Sequence, residues 1–497
     1  MDEREVNDVT IYLGPPGTGK TTTLLDVVDE ALANGIEPER IGYFAFTRKA
    51  ANEAAKRAMM QFTLSSQELP YFRTLHSLAY GGLGLRRTEV LGDVQLADFG
   101  TAHGFKFHAG LDDNGFLRPP AFLTLGDSYL YLYHMSRSKG VPLEVEWQNA
   151  SLAGVHLHLA QKFAADLEAY KREKGLVDFA DMVDMYDPDI ELDVLIIDEA
   201  QDLTRQQWVL ARKLMAQARK VYIGGDDDQA IYEWAGADVD TFLSLEGRRI
   251  VLGQTHRLPV AIHAFADDIA RRISRRYEKE WRSADEPGLV TTGDYDHLDL
   301  SRGTWMLLAR HQHQLAPLRQ WVERRGYVYE YNHVWSSAAA PVRAVIAYEK
   351  LRRGDQVDRG EAALAVEFVP GVLVPQGDAP FAYDQFAWPW EGRPEWLDAL
   401  SLLSTRWREY IRACRRNGER LVGPGRIVIS TIHGVKGGEA ENVVLHHDMT
   451  DLTYRWYQRA PDTEHRVFYV GASRASRALY IVPHRSLRFY RFRDWTI

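Results

Sequence analysis

Gly14-Pro15-Pro16-Gly17-Thr18-Gly19-Lys20-Thr21 has the spacing G-x-x-x-x-G-K-[ST] of a phosphate-binding loop, and both flanks suit that reading. Val9-Thr10-Ile11-Tyr12-Leu13 reads as a buried strand entering the loop. Thr22 to Ala33 reads as a helix leaving it, with Leu24, Val27, Val28, Ala31 and Leu32 on one face and Gly35 as the stop. Glycines let backbone N–H groups close around phosphate oxygens at a helix N-terminus that already favours anions. Gly17, Thr18, Gly19, Lys20, Thr21 and Thr22 are therefore candidate contacts to a nucleoside triphosphate. Lys20 is placed to reach the terminal phosphates, and the Thr21 hydroxyl to hold Mg²⁺.

The bulk composition excludes several classes. The chain has 497 residues, room for several domains, with 45% hydrophobic and 26% charged residues, as in an ordinary globular protein. A net charge of −9 gives no global basic field, although a groove can hold single strands by base stacking instead. Cys414 is the single cysteine, so neither an intramolecular disulfide nor a Cys-rich zinc site can form. No run of about 18 apolar residues is present. The acidic start Met1-Asp2-Glu3-Arg4-Glu5 is unlike a signal peptide. An intracellular, cytoplasmic protein without membrane partners is expected.

Buried-strand patterns alternate with helical ones, which predicts an α/β fold with mainly parallel sheets. The strand patterns are Val9–Leu13, Ile41–Phe46, Val194–Ile197, Lys220–Ile223, Trp305–Ala309, Arg426–Ser430, Asn442–Leu445 and Ala478–Val482. They form two clusters, each interrupted once. The first interruption is loop-rich at Gly81–Gly84 and Gly110–Pro120 and helical from about 151 to 174. The second holds a Pro/Gly/Trp-rich patch, Val369–Pro394, between helical stretches Val342–Arg353 and Trp396–Arg416.

Two further segments carry chemistry. Val194-Leu195-Ile196-Ile197-Asp198-Glu199 places two acids at the exit of a buried strand. Asp198 suits a Mg²⁺ ligand, and Glu199 a base that orients and deprotonates the attacking water. Ile223-Gly224-Gly225-Asp226-Asp227-Asp228-Gln229 ends a third strand, followed closely by Tyr232 and Trp234. Gln229 is placed for a γ-phosphate contact and the two aromatics for stacking on bases, which would couple a nucleotide site to a polymer track. The pairs His156/His158, His311/His313 and His446/His447 lack further ligands at zinc spacing and are read as structural.

These three segments resemble motifs I, II and III of the UvrD/Rep/PcrA family of superfamily 1 (type A) DNA helicases, and the remaining motifs follow in order. Tyr43 to Ala51 resembles motif Ia, Thr74-Leu75-His76-Ser77 the "TFHS" motif, and Asp178-Phe179 the "DF" motif. Leu252 to Arg257 is similar to motif IV, Thr431 to Glu439 to motif V, and Val467 to Ala475 to motif VI.

The resemblance implies two RecA-like parallel-sheet motor domains, each with an inserted subdomain. It places the first core at 1–80 and 177–255 with its insertion at 81–176, and the second at 256–335 and 425–497 with a reduced insertion at 336–424. It implies ATP and Mg²⁺ as cofactors, with Lys20, Thr21, Asp198, Glu199 and Gln229 serving them. Arg257 and Arg474 of the second core would act as arginine fingers, and Glu439 as a ribose contact. Phe46, His76, Tyr232, Trp234, Thr431 and His433 would line single-stranded DNA. The implied activity is ATP-driven 3′→5′ translocation on single-stranded DNA, with strand separation at single-strand/duplex junctions. The alternative is a nucleic-acid-stimulated ATPase subunit or switch in a larger repair or defence complex. Departures from the family pattern are the lack of a glutamine motif in 1–13, Thr255-His256-Arg257 for "NYR", Ala235-Gly236-Ala237 for "RGA", and Gly438 within motif V. Within the second insertion, about Gly354 to Pro394 reads as dispensable for DNA-dependent ATP turnover, because every nucleotide-contacting motif lies outside it.

Overall fold

A computed structural model describes residues 8–108, 124–150 and 152–492. The acidic start at 1–5 and the loop expected at 110–120 fall outside them. The chain divides into two compact units. Unit 1 comprises Met1–Leu258, Ile269–Asp285 and Ala460–Tyr469; unit 2 comprises Pro259–Asp268, Glu286–Arg459 and Val470–Ile497. Each unit is built on one parallel-dominated sheet, the expected α/β class.

The sheet of unit 1 contains β1 (Asp8–Leu13), β2 (Ile41–Ala45), β3 (Phe72–Arg73), β4 (Leu192–Asp198), β5 (Ala218–Gly225) and β6 (Arg248–Val251). Their order is β3-β2-β4-β5-β1-β6 and every pairing is parallel. Parallel pairing needs crossover helices, so both faces are covered and the central strands β2 and β4 are largely apolar and buried. The two-residue period of β4 divides its side chains accordingly. Val194 and Ile196 join Leu24, Val28 and Ala54 on one face, while Leu195 and Ile197 join Leu75, Trp208 and Leu214 on the other. Between β3 and β4, the helices Asp93–His103, Leu125–Lys139, Leu143–Ala150 and Leu157–Lys174 enclose a separate cluster around Phe99, Leu130, Phe163 and Leu167. Buried Lys171 ties this insertion down, donating to Asp178 at 2.8 Å and Asp181 at 2.7 Å. Its hydrogen bonds offset the cost of burying the charges.

Unit 2 contains β7 (Leu289–Thr292), β8 (Trp305–Ala309), β9 (Tyr329–Tyr331), β10 (Val334–Trp335), β11 (Ile427–Thr431), β12 (Ala440–Leu445) and β13 (Ala475–Ile481). Their order is β10-β9-β11-β8-β12-β13-β7, parallel except for β9 with β10. The helix expected over 396–416 is broken into Trp396–Ala399 and Thr405–Arg416. The Arg408 guanidinium satisfies the carbonyls freed at the break, donating to Leu400 at 3.1 Å, Ser401 at 2.9 Å and Leu403 at 3.0 Å.

The second insertion shares one hydrophobic cluster with the sheet. Val357, Ala365, Phe381 and Tyr383 pack in the same core as Leu307, Val322, Ile427 and Ile429. Residues 354–394 thus contribute to the core of the unit, so their removal would take part of that core with it. Phe381→Ala alone should cost about 3–5 kcal/mol in denaturant unfolding. A loss below about 1 kcal/mol would show that this segment is peripheral.

Candidate nucleotide-hydrolysis site

The parallel strands β1, β4 and β5 end at one edge of the unit 1 sheet, where open α/β sheets bind ligands. The phosphate-binding loop follows β1, the Asp198–Asp202 segment closes β4, and Asp226–Gln229 follows β5. Gly14 N–H donates to the Gly225 carbonyl at 3.0 Å, which fixes the loop's entry. Gly19 caps the helix Lys20–Ala33 in the left-handed region, at φ 80°. No side chain caps that end, which leaves its first-turn N–H groups for an anion. Thr18 closes the loop from within, its hydroxyl donating to the Pro15 carbonyl at 2.8 Å. Thr22 is exposed on the first turn.

Motif IV closes the loop from outside. The Thr255 hydroxyl donates to the Pro16 carbonyl at 2.7 Å and His256 N–H to the Gly17 carbonyl at 2.8 Å. Arg257, expected from the second core, falls in unit 1 and packs on this same loop. Gly17 is constrained twice. Its φ is +74°, and a Cβ there would lie 2.4 Å from the Arg257 Cβ.

Lys20, buried at 8% exposure, aims its ammonium at Glu199 Oε1, 2.7 Å away, with Asp198 Oδ1 at 4.0 Å. Burial draws the Lys20 pKa down, but the two carboxylates outweigh it, so it lies above the ordinary lysine value. Burial raises the Asp198 carboxyl, Lys20 opposes, and the net direction is upward. Asp198 also accepts from the Tyr43 hydroxyl at 2.9 Å and the Thr21 hydroxyl at 3.2 Å. Glu199 itself sits at φ +53°, a region where a non-glycine residue costs on the order of 1–3 kcal/mol. The strained turn directs its carboxylate toward Lys20, and Gln201 Nε2 holds the other oxygen at 2.6 Å.

The Thr21 hydroxyl and Asp198 carboxylate together fit Mg²⁺. They are hard oxygen donors in contact with one another, and Mg²⁺ uses one or two carboxylates plus substrate phosphates rather than a protein cage. Among the described residues no group of three or more His, Cys, Asp or Glu forms a dedicated cage.

Gln229, 8% exposed, donates to Asp226 Oδ2 at 2.8 Å. The Asp226 N–H donates to Gln201 Oε1 at 3.0 Å, so Glu199, Gln201, Asp226 and Gln229 form one connected run. Sequence reasoning singled out neither Gln201 nor Tyr43. Tyr43 opens the motif Ia stretch in β2 and Gln201 follows Glu199 by two residues, and that adjacency is the available signal.

The aromatic residues also assemble. Phe46 stacks on Tyr232 with centroids 5.5 Å apart, and Tyr232 meets Trp234 edge-on at 6.1 Å. Phe46 is buried, while Tyr232 and Trp234 are half-buried. His76 packs edge-on against Phe179, with Nδ1 3.3 Å from Gln207 Nε2; burial pushes its ring down to about 4, so the imidazole is neutral. Thr431, His433, Glu439 and Arg474 belong to unit 2. Thr431 ends β11 and accepts from Gly434 N–H at 3.2 Å, with His433 half-buried beside it. The Arg474 guanidinium is buried, donating to the Val470 carbonyl at 2.9 Å, the Gly438 carbonyl at 3.1 Å and the Ser473 hydroxyl at 3.0 Å. Glu439 is exposed next to Gly438.

A phosphate-binding loop, a strand-end acid pair and two parallel-dominated sheets define a P-loop α/β protein. Residues 4–249 match the UvrD/REP helicase N-terminal domain and residues 426–482 the UvrD-like helicase C-terminal domain. The chain belongs to the UvrD/Rep/PcrA-like helicase family. It is 25% identical over 325 residues to the ATP-dependent DNA helicase PcrA of Bacillus subtilis, covering 61% of this chain and 43% of that protein. It is likewise 25% identical over 312 residues to a probable DNA helicase of Mycoplasma pneumoniae, covering 55% of each. A probable DNA helicase II homolog of Rickettsia conorii is 25% identical over 295 residues, covering 54% of this chain and 43% of that one. The chain thus spans about half the length of these curated relatives. No helix among the described residues is long and apolar enough to cross a membrane.

Gly17→Ala should weaken binding of a fluorescent ATP analogue at least roughly tenfold, because the new methyl group displaces Arg257 and strains the loop. Wild-type affinity in this variant would contradict the packing of motif IV on the loop.

Proposed function

We propose that this chain hydrolyses ATP to drive 3′→5′ movement along single-stranded DNA and to separate strands at single-strand/duplex junctions. The observation that carries the reading is the contact of Lys20 with Glu199 and Asp198 across two strand ends, which joins a phosphate-binding cation to an acid pair suited to hydrolysis. The names of the relatives, all DNA helicases, support the substrate, and the resemblance supports the polarity.

In this reading the first-turn N–H groups and Lys20 hold the β- and γ-phosphates. Glu199 accepts a proton from the attacking water, and Gln229, oriented by Asp226, contacts the γ-phosphate. Mg²⁺ at Thr21 and Asp198 would neutralise phosphate charge. Arg257, against the loop, and Arg474 are the guanidinium groups assigned to the charge of the transferring phosphoryl group. Phe46 backs Tyr232 and Trp234, whose half-buried rings offer bases a stacking surface without reading sequence, at roughly 1–3 kcal/mol per base. Tyr232 and Trp234 lie only a few residues after Gln229, so a shift at the γ-phosphate is passed along one short segment to the bases. We place the protein in the cytoplasm.

ATP turnover should rise on adding single-stranded DNA, and duplexes with 3′ tails should be unwound while those with 5′ tails are not. Trp234→Ala should reduce the DNA-stimulated rate roughly tenfold with basal hydrolysis little changed. An unfolded Trp234→Ala protein by thermal melting would make this aromatic a core residue, and unwinding of 5′-tailed duplexes would reverse the polarity.

A further inference from the structure

Asp226, Asp227 and Asp228 are consecutive and all fully buried. Three like charges without water cannot persist unless cations reach them. One side chain reaches all three. Lys279 Nζ, itself 1% exposed, lies 3.0 Å from Asp226 Oδ1, 2.5 Å from Asp227 Oδ1 and 3.0 Å from Asp228 Oδ2. Arg276 adds a two-toothed contact to Asp228 at 2.8 and 2.6 Å, and Tyr277 N–H donates to Asp227 Oδ2 at 2.8 Å. Arg466 donates to the Asp227 carbonyl at 3.0 Å and pairs with Glu233 at 3.1 Å. All of these residues belong to unit 1, although Lys279 lies about fifty positions beyond the acids it serves.

The two oxygens of Asp226 have different work. Oδ1 meets Lys279 and accepts from Asp228 N–H, while Oδ2 accepts from the Gln229 amide. The Asp226 backbone N–H holds Gln201, which in turn holds Glu199. The Asp226 side chain thus orients the amide assigned to the γ-phosphate, and Lys279 pins that side chain, while the Asp226 backbone meets the Gln201 that also holds Glu199.

We propose that Lys279 is a positioning residue for hydrolysis, fixing the Asp226 carboxylate so that the Gln229 amide is held in reacting geometry. This rests on the ATPase reading above. Lys279 touches neither nucleotide nor water in this scheme. Its loss acts by letting the Asp226 carboxylate turn away from its neighbours, and displacements of about 1 Å at a reacting group can cost about a hundredfold in rate.

The test compares Lys279→Met with the charge-balanced pair Lys279→Met/Asp227→Asn, which removes one carboxylate together with the ammonium. In both, kcat for DNA-stimulated ATP hydrolysis should fall roughly 10- to 100-fold, with the KM for ATP changed by less than about threefold. Lys279→Arg should recover part of the rate, because a cation is restored at the same place. The paired variant should melt closer to wild type than Lys279→Met alone. A folded paired variant with near-wild-type kcat would overturn the proposal and leave Lys279 as a neutralising charge only. Loss of cooperative melting in both variants would also overturn it, making the cluster a folding element. A wild-type protein without DNA-stimulated hydrolysis would instead remove the reading on which the proposal rests.

Discussion

Charge buried at the carboxyl edge of one parallel sheet is the constraint on which the rest of unit 1 depends. β1, β4 and β5 deliver Lys20, Asp198 and Asp226–Asp228 to the same dry edge, and none of them is more than 8% exposed. Each such group is tolerated only with a partner. Lys20 has Glu199 and Asp198, Asp198 has Tyr43 and Thr21, and the three aspartates have Lys279 and Arg276. A triphosphate that engages Lys20 competes with Glu199 for the same ammonium. On the proposed reading, nucleotide binding therefore rearranges the pairing that satisfies the buried Lys20 ammonium.

Much of this was legible in the chain because it is local. The loop, the strand-end acids and the eight strand patterns are contiguous in sequence, and each pattern falls on a strand to within one residue. The short strands β3, β6, β7, β9 and β10 were not recognised. β6 and β7 are half-buried at most, and β3 and β10 have two residues each, so they exist through pairing with a neighbour rather than through their own pattern. The break in the 396–416 helix was hidden for a similar reason, since Arg408 reaches back to carbonyls that periodicity cannot report. Lys279 and Arg276 lie in an Arg/Lys-rich stretch that resembles a solvated face until Asp226–Asp228 are placed beside it.

The departures from the family pattern have local explanations. Thr255, in place of the asparagine of "NYR", uses its small hydroxyl to seal the loop at Pro16. Ala235, in place of an arginine, is buried at 4%, and Gly236 follows in the left-handed region with the Ser138 Cβ only 3.0 Å from where its own Cβ would be. The insertion helix Leu125–Lys139 closes over this turn, and the Tyr131 hydroxyl donates to the Trp234 carbonyl at 3.4 Å. The backbone at Trp234 is thus supported by the inserted helix, and the buried Ala235 position has no room for a large basic side chain.

The central claim is that Glu199 serves two partners, Lys20 in the ion pair and water in hydrolysis. Glu199→Gln separates the two roles, and the direct measurement is titration with an ATP analogue alongside DNA-stimulated turnover of ATP. The account requires affinity equal to or tighter than wild type, because Lys20 loses a competing charge, together with a fall in turnover of roughly a hundredfold or more. Near-wild-type turnover in Glu199→Gln would contradict it.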